Sequence, residues 1–549
     1  MNTQKSNSRI IFISKPAHIR FTHLVLVLAV LVLVQTSACG ALQAIGPASP
    51  WPTSTPESQG MDSGQLLNMI NSIETQALNI HSILILRHGH VVLELYYPPF
   101  GPLDKHMLFS VTKSVTSALI GIAIQEGKIK SIDQKVLDFF PDRQIANMDD
   151  LKKAITLRDL LNMTSGFTAA DQDMWASANW VQFTLDSPMD ATPGTSFDYN
   201  SGNTMLLSAI LQKVTGETAL AYAKEHLFGP LGINDFYWAA DPTGVTEGPL
   251  GLMLTTREMA SFGYLYLQGG KWNGQQVVPA EWVRASGQSQ VPSDWVCSPP
   301  GSCPENGYGY LWWQTKDGSI AEGYGGEDIY VVPSKDLVVV YTSGVPYDQQ
   351  DAVIELTEQY ILPAIKSDQA LPASPSSKEL FDRLAEIIQP KAQPTPVLPT
   401  IASTINGKTL LLDDNQVGWE QVSLTFKGNQ AWMTCKIKGN PQELKFAIGL
   451  DGTYRLTPVS RIEQQTTEQI PGRNALNPFQ YGFLLGVPVD ESVAMKGKWT
   501  TDGSFNVTVQ GTSDFDQENI TFIFSSGGGK IVWFSFNDGS ILDVDGKFQ

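Results

Sequence analysis

The stretch Phe109-Ser110-Val111-Thr112-Lys113-Ser114 decides how the rest of this 549-residue chain is interpreted. It leads into a mostly apolar run, Val115 to Ile124, that closes on Glu126-Gly127. An apolar run of this length followed by glycine predicts a buried helix whose first turn carries Ser110 and Lys113. Residues three apart share one face of a helix, so the lysine amine should reach the serine hydroxyl.

A serine in the first turn of a buried helix is well placed to act as a nucleophile. Its own backbone N–H is an unpaired helix-terminal donor that an oxyanion can use, and the helix dipole favours negative charge there. Burial lowers the pKa of a lysine, so Lys113 could supply the neutral amine that a general base requires. The alternative is a core helix with an incidental polar end, which would bury a lysine without a partner at considerable cost.

Two glycine-containing segments offer further candidates. The turn-rich stretch 193–203 precedes a predicted helix and presents Tyr199, whose phenol could pass a proton between nucleophile and leaving group. A core tyrosine is the alternative. Near a strand end, Gly323 and Gly325 permit close approach of another backbone, and the Tyr324 N–H is the candidate for a second oxyanion donor. An ordinary glycine-rich turn is the alternative there.

Three motifs in chain order resemble the serine β-lactamase-like superfamily: Phe109–Ser114, Ile155–Gly166 and Pro193–Ser201. That superfamily contains class C β-lactamases, D-alanyl-D-alanine carboxypeptidases, esterases and 6-aminohexanoate-dimer hydrolases. The resemblance covers roughly residues 50–365. It implies an acyl-enzyme on Ser110, with Lys113 and Tyr199 as proton-transfer groups and with a small-molecule or peptide-like acyl substrate.

Two departures from the superfamily pattern bear on the substrate. Ser201 stands where the tyrosine motif usually has asparagine, as in the 6-aminohexanoate-dimer hydrolase-like branch, and is a candidate substrate-binding residue. Glu322 lies in Ala-Glu-Gly, where relatives usually have Lys-Thr-Gly or His-x-Gly. The missing cation is the one that relatives hold against a substrate carboxylate. Esterase or amidase activity is therefore favoured over β-lactamase or D-alanyl-D-alanine carboxypeptidase activity, unless a cation such as Arg257 reaches the cleft.

The order of the predicted elements favours an α+β fold. A hairpin over 81–97 and strands over 308–342 enclose a helical region, which predicts an antiparallel sheet built from both ends of a domain spanning 57–365. Residues 366–402 are predicted to be a linker with a short helix at 378–389. Short alternating runs over 403–549 predict a C-terminal antiparallel β-sandwich or small barrel. The aromatic run 308–313 is predicted to be strand core, with a cleft-lining role as the alternative.

The N-terminus predicts export. Basic residues precede an apolar run from Leu24 to Val34, and Cys39 follows Ser37-Ala38, so residues 1–39 read as a signal peptide with a lipoprotein box. Lipidation at Cys39 would anchor the protein on the cell surface or on a periplasm-facing membrane through a tether, 41–56. Simple secretion and an uncleaved anchor are the alternatives. In an exported protein, Cys297 and Cys303 are predicted to form a local disulfide.

Several classes of function are excluded or disfavoured. A net charge of −18 makes nucleic-acid binding unlikely on electrostatic grounds. No cofactor is expected, and no metal site is expected either, because His88-Gly89-His90 fits a solvated hairpin tip better than a ligand pair. No Gly-x-Ser-x-Gly elbow occurs. The rival to an enzyme is the same fold acting as a non-catalytic sensor or binding module.

Overall fold

A computed structural model of the chain describes residues 51–296, 307–415, 418–438, 440, 442–459, 491–513, 515, 517–535 and 539–549. Residues 47–549 form one compact unit. The predicted signal peptide, the lipidation site Cys39 and the predicted disulfide between Cys297 and Cys303 lie outside the described residues. No helix in the described ranges combines the length and the apolar character that crossing a membrane requires.

The strands of the described residues, numbered in chain order, are β1 Ile80–Arg87, β2 His90–Tyr96, β3 His106–Met107, β4 Tyr237–Trp238, β5 Leu252–Leu254, β6 Lys271–Trp272, β7 Gln275–Gln276, β8 Gly307–Tyr308, β9 Trp313–Gln314, β10 Ser319–Gly323, β11 Glu327–Val332, β12 Leu337–Ser343, β13 Thr409–Leu412, β14 Trp419–Lys427, β15 Gln430–Ile437, β16 Leu444–Gly449, β17 Arg455–Val459, β18 Glu491–Trp499, β19 Phe505–Gly511, β20 Gln517–Phe524, β21 Gly528–Ser535 and β22 Gly539–Phe548.

The α-helices of the same residues are α1 Ser63–Gln76, α2 Val111–Gln125, α3 Asp150–Ala154, α4 Leu157–Leu161, α5 Asp171–Ala176, α6 Trp180–Asp186, α7 Ser201–Thr215, α8 Ala219–Ala223, α9 Gly229–Leu231, α10 Thr256–Leu267, α11 Ala280–Ser286, α12 Ser293–Val296, α13 Gln350–Leu356, α14 Leu362–Ala364, α15 Pro375–Ile388 and α16 Thr400–Ile405. The π turns Lys224–Phe228 and Thr357–Ile361 join α8 to α9 and α13 to α14.

The predicted two-ended sheet is confirmed. Its seven strands run in the order β2-β1-β12-β11-β10-β9-β8, so the N-terminal hairpin pairs with the C-terminal strands and the helical region is inserted between them. Strand β1 is buried along its whole length because both faces are covered. Leu84 and Leu86 face the core that contains α2, and Ile83 and Ile85 face the core beneath α1.

The C-terminal region is a closed barrel, which decides between the two predicted β architectures. Strands β13–β16 and β18–β22 form a continuous antiparallel ladder, and a parallel contact between Gly449 and Lys496 joins its ends. Strand β17 pairs outside this closure with β18. Alternate residues along the strands fill one apolar core with side chains such as Trp419, Phe505 and Trp533. Closure leaves the nine ring strands without free edges.

The structure places two predicted connecting segments against the hydrolase-like domain. The part of the predicted tether that is described is packed, because Trp51 is buried against Tyr264 and Trp272 and Thr53 bridges Val91. The helix inside the predicted linker runs from Pro375 to Ile388 and buries Leu380 and Leu384 in the core beneath α1. The composition of both segments predicts flexible connectors. Their few large apolar residues instead pack them against the domain.

Two elements differ from their predicted extent. The aromatic run is broken into the short strands β8 and β9 because Leu311 between them adopts a left-handed φ of 61°. Proline is a helix breaker, so the sequence predicts that the helix near the end of the domain stops at Leu362, before Pro363; the structure continues it to Ala364. The π turn Thr357–Ile361 precedes α14, so Pro363 lies in the first turn of this short helix. The N–H that proline lacks is not required there.

Helix α2 lies so close to its neighbours that one position admits no side chain. A Cβ built on Gly121 would lie 2.5 Å from Cγ of Trp282. The indole cannot swing away freely, because its Nε1 donates a hydrogen bond of 3.2 Å to Ser117 Oγ on the same helix. Gly121 therefore sets how closely α11 approaches the helix that carries the candidate site.

We expect Gly121→Ala to lower the free energy of unfolding by about 1–2 kcal/mol, since overpacking outweighs the roughly 1 kcal/mol that alanine gains in helix propensity. Urea denaturation followed by tryptophan fluorescence measures this. The matched control is Gly527→Ala, where a Cβ meets nothing within 4 Å. Equal stability of Gly121→Ala and wild type would contradict the close-packing account.

Candidate active site

Ser110 lies at the N-terminus of α2, after a strained residue. Phe109 adopts a left-handed φ of 43°, which is unfavourable for a bulky side chain and is found mainly where surroundings enforce it. Two hydrogen bonds anchor the first turns of α2: Ser114 Oγ donates to the Leu311 carbonyl at 2.6 Å, and Thr116 Oγ1 donates to the Gly248 carbonyl at 2.9 Å. The helix start is therefore held from two sides of the domain.

Lys113 is buried directly beside Ser110. Its Nζ donates to Ser110 Oγ at 2.9 Å and to the Pro249 carbonyl at 3.1 Å, and it lies 4.9 Å from the centroid of the Tyr199 ring. Burial lowers the pKa of Lys113 to about 8, and the Asp171 carboxylate acts in the opposite direction. The amine is consequently able to lose its proton near neutral pH, which a solvated lysine does not do.

Tyr199 completes the cluster from the loop before α7. Its ring stacks on Trp313 at 5.3 Å with 16° between the planes. Burial raises the pKa of Tyr199 well above its usual value, and a hydrogen bond with Ser110 acts against that shift. The phenol therefore keeps its proton at neutral pH, so Lys113, not Tyr199, is the group that can be unprotonated there.

Strand β10 ends against the segment that carries Ser110. A Cβ on Gly323 would lie 2.4 Å from the Leu108 carbonyl oxygen, so only glycine allows this approach. The Tyr324 ring lies 5.6 Å from the ring of Phe109, the residue before Ser110. Gly325 and Gly326 then take positive φ angles of 86° and 82°. The candidate oxyanion donors at 110 and 324 thus belong to backbones held next to each other.

The remaining predicted binding residue, Ser201, lies at the start of α7. It is buried, and its backbone N–H donates to Asp171 Oδ1 at 3.1 Å. Asn200 caps the same helix by accepting a hydrogen bond from the Gly202 N–H at 2.9 Å. Asp171 is thereby fixed at the helix N-terminus that holds Tyr199 in place.

Within the part of the chain that the structure describes, the charged side chains that act on the pKa values of Lys113 and Tyr199 are carboxylates. The Glu322 and Asp171 carboxylates both contribute to the raised pKa of Tyr199, after burial. Arg257, the cation that could have served a substrate carboxylate, forms a bidentate pair with Glu94, with both N···O distances at 2.6 Å. The hypothesis that Arg257 serves the cleft is therefore not supported by its position.

A buried histidine pair, His81 and His106, includes a residue of β3, the strand just before Ser110. His106 Nδ1 and Glu327 Oε1 are 3.1 Å apart, which ties β3 to the start of β11. His81 lies next to them, and the three residues bring one potential metal-ligand atom each within 4.8 Å of one another. His88 and His90 are the pair that the sequence suggests. The His88 ring hydrogen-bonds with Gln59, and the His90 ring hydrogen-bonds with the backbone carbonyl of His88.

Sequence reasoning missed three contributors to the site. Asp171 follows no recognisable motif and acts through the fold of its loop. The Pro249 carbonyl reaches Lys113 from a segment 136 residues away. Trp313 belongs to the aromatic run that is predicted to be strand core, with a cleft-lining role as the alternative. The structure separates the run: Trp312 is buried against Tyr266, and its neighbour Trp313 stacks on Tyr199. Alternation along an extended segment was the signal that could have divided them.

The chain is similar to proteins of known sequence and structure. The 6-aminohexanoate-dimer hydrolase of Paenarthrobacter ureafaciens is 28% identical over 291 residues, covering 48% of this chain and 72% of that protein. Among solved structures, the octameric penicillin-binding protein homologue from Pyrococcus abyssi covers 89% of this chain and 100% of its own, at 16% identity and a TM-score of 0.42. EstCE1, a hydrolase with promiscuous acyltransferase activity, covers 56% of this chain and 99% of its own, at 17% identity and a TM-score of 0.46.

A family model locates the similarity in the domain that holds Ser110, Lys113 and Tyr199. The family model described as Beta-lactamase matches residues 70–359, more than half of the sequence. The two-ended antiparallel sheet with its inserted helices is the architecture that this match implies. This chain belongs to the Beta-lactamase family.

Proposed function

We propose that this protein is an exported serine hydrolase that cleaves an ester or amide bond through an acyl-enzyme on Ser110. The observation that carries the proposal is the buried contact of 2.9 Å between Lys113 Nζ and Ser110 Oγ, with the Tyr199 ring on the same amine. A protein that only binds ligands does not need a lysine whose pKa is close to neutral pH beside a serine hydroxyl.

Acylation follows from the roles that the geometry supports. Neutral Lys113 takes the proton of Ser110, and Oγ forms a bond to the substrate carbonyl carbon while the C=O π electrons move to oxygen. The backbone N–H groups of Ser110 and Tyr324 would then donate to that oxyanion. When the oxyanion collapses, the bond to the leaving group breaks, and Tyr199 donates its proton to the departing oxygen or nitrogen while it accepts the proton that Lys113 took from Ser110, so both groups regain their starting states.

Deacylation reverses these roles with water as the nucleophile. Water attacks the acyl carbon while neutral Lys113 takes its proton. The bond to Ser110 Oγ then breaks, and a proton returns to the serine hydroxyl. The product is a carboxylic acid. No step in this sequence requires a metal ion or an organic cofactor.

The charges around the cluster favour a substrate that carries no carboxylate near the scissile bond. Glu322 and Asp171 act on Tyr199, and Arg257 is engaged by Glu94. A negatively charged substrate group would approach like charges in a partly desolvated site. Neutral or cationic esters and amides are therefore proposed over penicillins and carboxylate-ended peptides. Lipid attachment at Cys39, and hence a place on an outward-facing membrane, remains part of the proposal on sequence grounds alone.

The test compares wild type with Ser110→Ala on short p-nitrophenyl esters, the corresponding anilides, a fluorophosphonate label and a chromogenic cephalosporin. We expect wild type to take up one label and to hydrolyse the ester, and Ser110→Ala to do neither. Hydrolysis of the cephalosporin at rates equal to the ester would overturn the substrate class. A wild type that neither reacts with the label nor hydrolyses any substrate would overturn the enzymatic proposal in favour of a binding module.

The pH dependence of acylation should report Lys113. Because the pKa of Lys113 is lowered to about 8 and the base acts unprotonated, kcat/KM should rise with pH and level off above about 8. Lys113→Arg keeps the positive charge but cannot lose its proton, so we expect about a 10²–10⁴-fold loss at pH 8. A profile that falls between pH 6 and 8 would contradict the role of Lys113.

Tyr199→Phe separates proton donation from attack. An anilide leaving group needs a proton, whereas p-nitrophenolate leaves without one. The variant should therefore lose about 10²–10³-fold on the anilide and roughly tenfold or less on the p-nitrophenyl ester. Steady-state kinetics on the matched pair measures this ratio. Tyr310→Phe, whose hydroxyl contacts Arg158 instead of Ser110, is the control, and an equal loss on both substrates would count against a donor role.

A further inference from the structure

The turn between β19 and β20 carries the C-terminal barrel into contact with the candidate site. Phe515 is buried, although it lies in the chain between two barrel strands. The apolar cluster around it consists of hydrolase-domain residues, namely Met107, Phe109 and Met253, with Tyr237 and Tyr324 at its edge. None of these lies in the barrel core. Phe515 is therefore a barrel residue that completes a core of the other domain.

The two rings nearest to Phe515 come from the two predicted oxyanion segments. Its centroid lies 4.8 Å from that of Phe109 at 87° and 5.4 Å from that of Tyr324 at 82°. Phe109 and Tyr324 are themselves 5.6 Å apart. Each contact is an edge-to-face arrangement, the preferred geometry for aromatic pairs. Three rings thus support each other, and Phe515 is the one that the hydrolase domain does not provide.

The backbone of the turn is fitted as closely as its side chain. A Cβ on Gly344 would lie 1.7 Å from the Phe515 carbonyl oxygen, and a Cβ on Gly325 would lie 3.3 Å from Phe515 Cδ2. The Thr512 hydroxyl also forms a hydrogen bond with Asp104, which accepts from the Gly101 N–H at 2.7 Å. Three such contacts, made by Thr512 and Phe515 with the hydrolase domain, distinguish a built joint from a chance touch between domains.

We propose that Phe515 is a positioning residue through which the C-terminal barrel holds the two oxyanion backbone segments of the hydrolase domain in register. Phe109 has an unfavourable left-handed φ, and Tyr324 precedes two glycines with positive φ, so neither segment is rigid by its own conformation. The Phe515 ring fills the space into which either side chain could relax. This inference rests on the proposed function and assigns the barrel a part in it.

The test uses the full chain with three variants. Phe515→Ala removes the ring, Phe515→Met keeps an adaptable apolar side chain, and Phe522→Ala removes a ring of the same size from the barrel core. For each, kcat and KM are measured on a p-nitrophenyl ester, together with the affinity of an arylboronic acid, whose tetrahedral adduct on serine places an oxygen in the oxyanion site. Amide hydrogen exchange over 107–111 and 323–326 provides a readout that requires no activity.

We expect Phe515→Ala to lower kcat by about tenfold to a hundredfold, with KM changed by no more than about twofold. The affinity for the boronic acid should fall by a similar factor. The pH midpoint of kcat/KM should stay in place because Lys113 is untouched. Phe515→Met should recover most of the loss. Phe522→Ala should lower the melting temperature but keep the kcat of the folded protein.

The inference is overturned if Phe515→Ala keeps wild-type kcat and boronic acid affinity. It is also overturned if Phe522→Ala lowers kcat and boronic acid affinity by the same factor as Phe515→Ala, since barrel stability alone would then explain the effect. If wild type neither hydrolyses the ester nor binds the boronic acid, the proposed function has failed, and hydrogen exchange decides the positioning role separately. Faster exchange of both segments in Phe515→Ala, but not in Phe522→Ala, supports that role. Unchanged exchange rejects it.

Discussion

The burial of the Lys113 amine is the constraint on which the surrounding structure depends. A lysine taken out of water in an apolar helix is costly unless polar groups meet it, and here the Ser110 hydroxyl, the Pro249 carbonyl and the Tyr199 ring do so. Each comes from a different part of the domain. Burial itself lowers the pKa of this amine to about 8, so the feature that makes the lysine costly to bury is also the one that lets it lose its proton near neutral pH.

The loops around this amine are fixed by contacts that leave little room for change. The Pro249 segment is clamped through Thr116, and β10 meets Leu108 with no space for a side chain at Gly323. His106 and Glu327 join the strand before Ser110 to the strand after Tyr324. Reacting groups on rigid supports keep their geometry when a substrate arrives, which is the arrangement that general acid–base chemistry needs.

The parts of the fold that could be predicted are those with a strong local pattern. The helix after Ser110 has an apolar run and a glycine stop, and the hairpin over 81–97 has two apolar runs around Gly89; both are found. Asp171 and Phe515 could not be predicted, because neither has a sequence neighbour that hints at its partner. Their roles arise when segments far apart in the chain meet, and local propensity contains nothing about such meetings.

Composition and residue type alone did not predict which surface a segment or a side chain contacts. Proline- and serine-rich composition marked 366–402 as a linker, yet Leu380 and Leu384 dock its helix under α1. Residue type alone makes Arg257 a candidate for the cleft cation, and no sequence pattern indicates its pairing with Glu94, 163 positions away. In both cases the deciding quantity was which surface a side chain faces, and that is a property of the assembled fold.

The missing side chain at Gly344 has a consequence for how this protein can change over generations. Because the Phe515 carbonyl occupies the volume that any larger residue would fill, position 344 in one domain and the barrel turn in the other cannot vary independently. A recombination event that brought in a foreign barrel, or a foreign hydrolase domain with a bulkier residue there, would produce a collision at the joint. Replacement of either domain is thus constrained by the shape of the other at this joint, even though each has its own core.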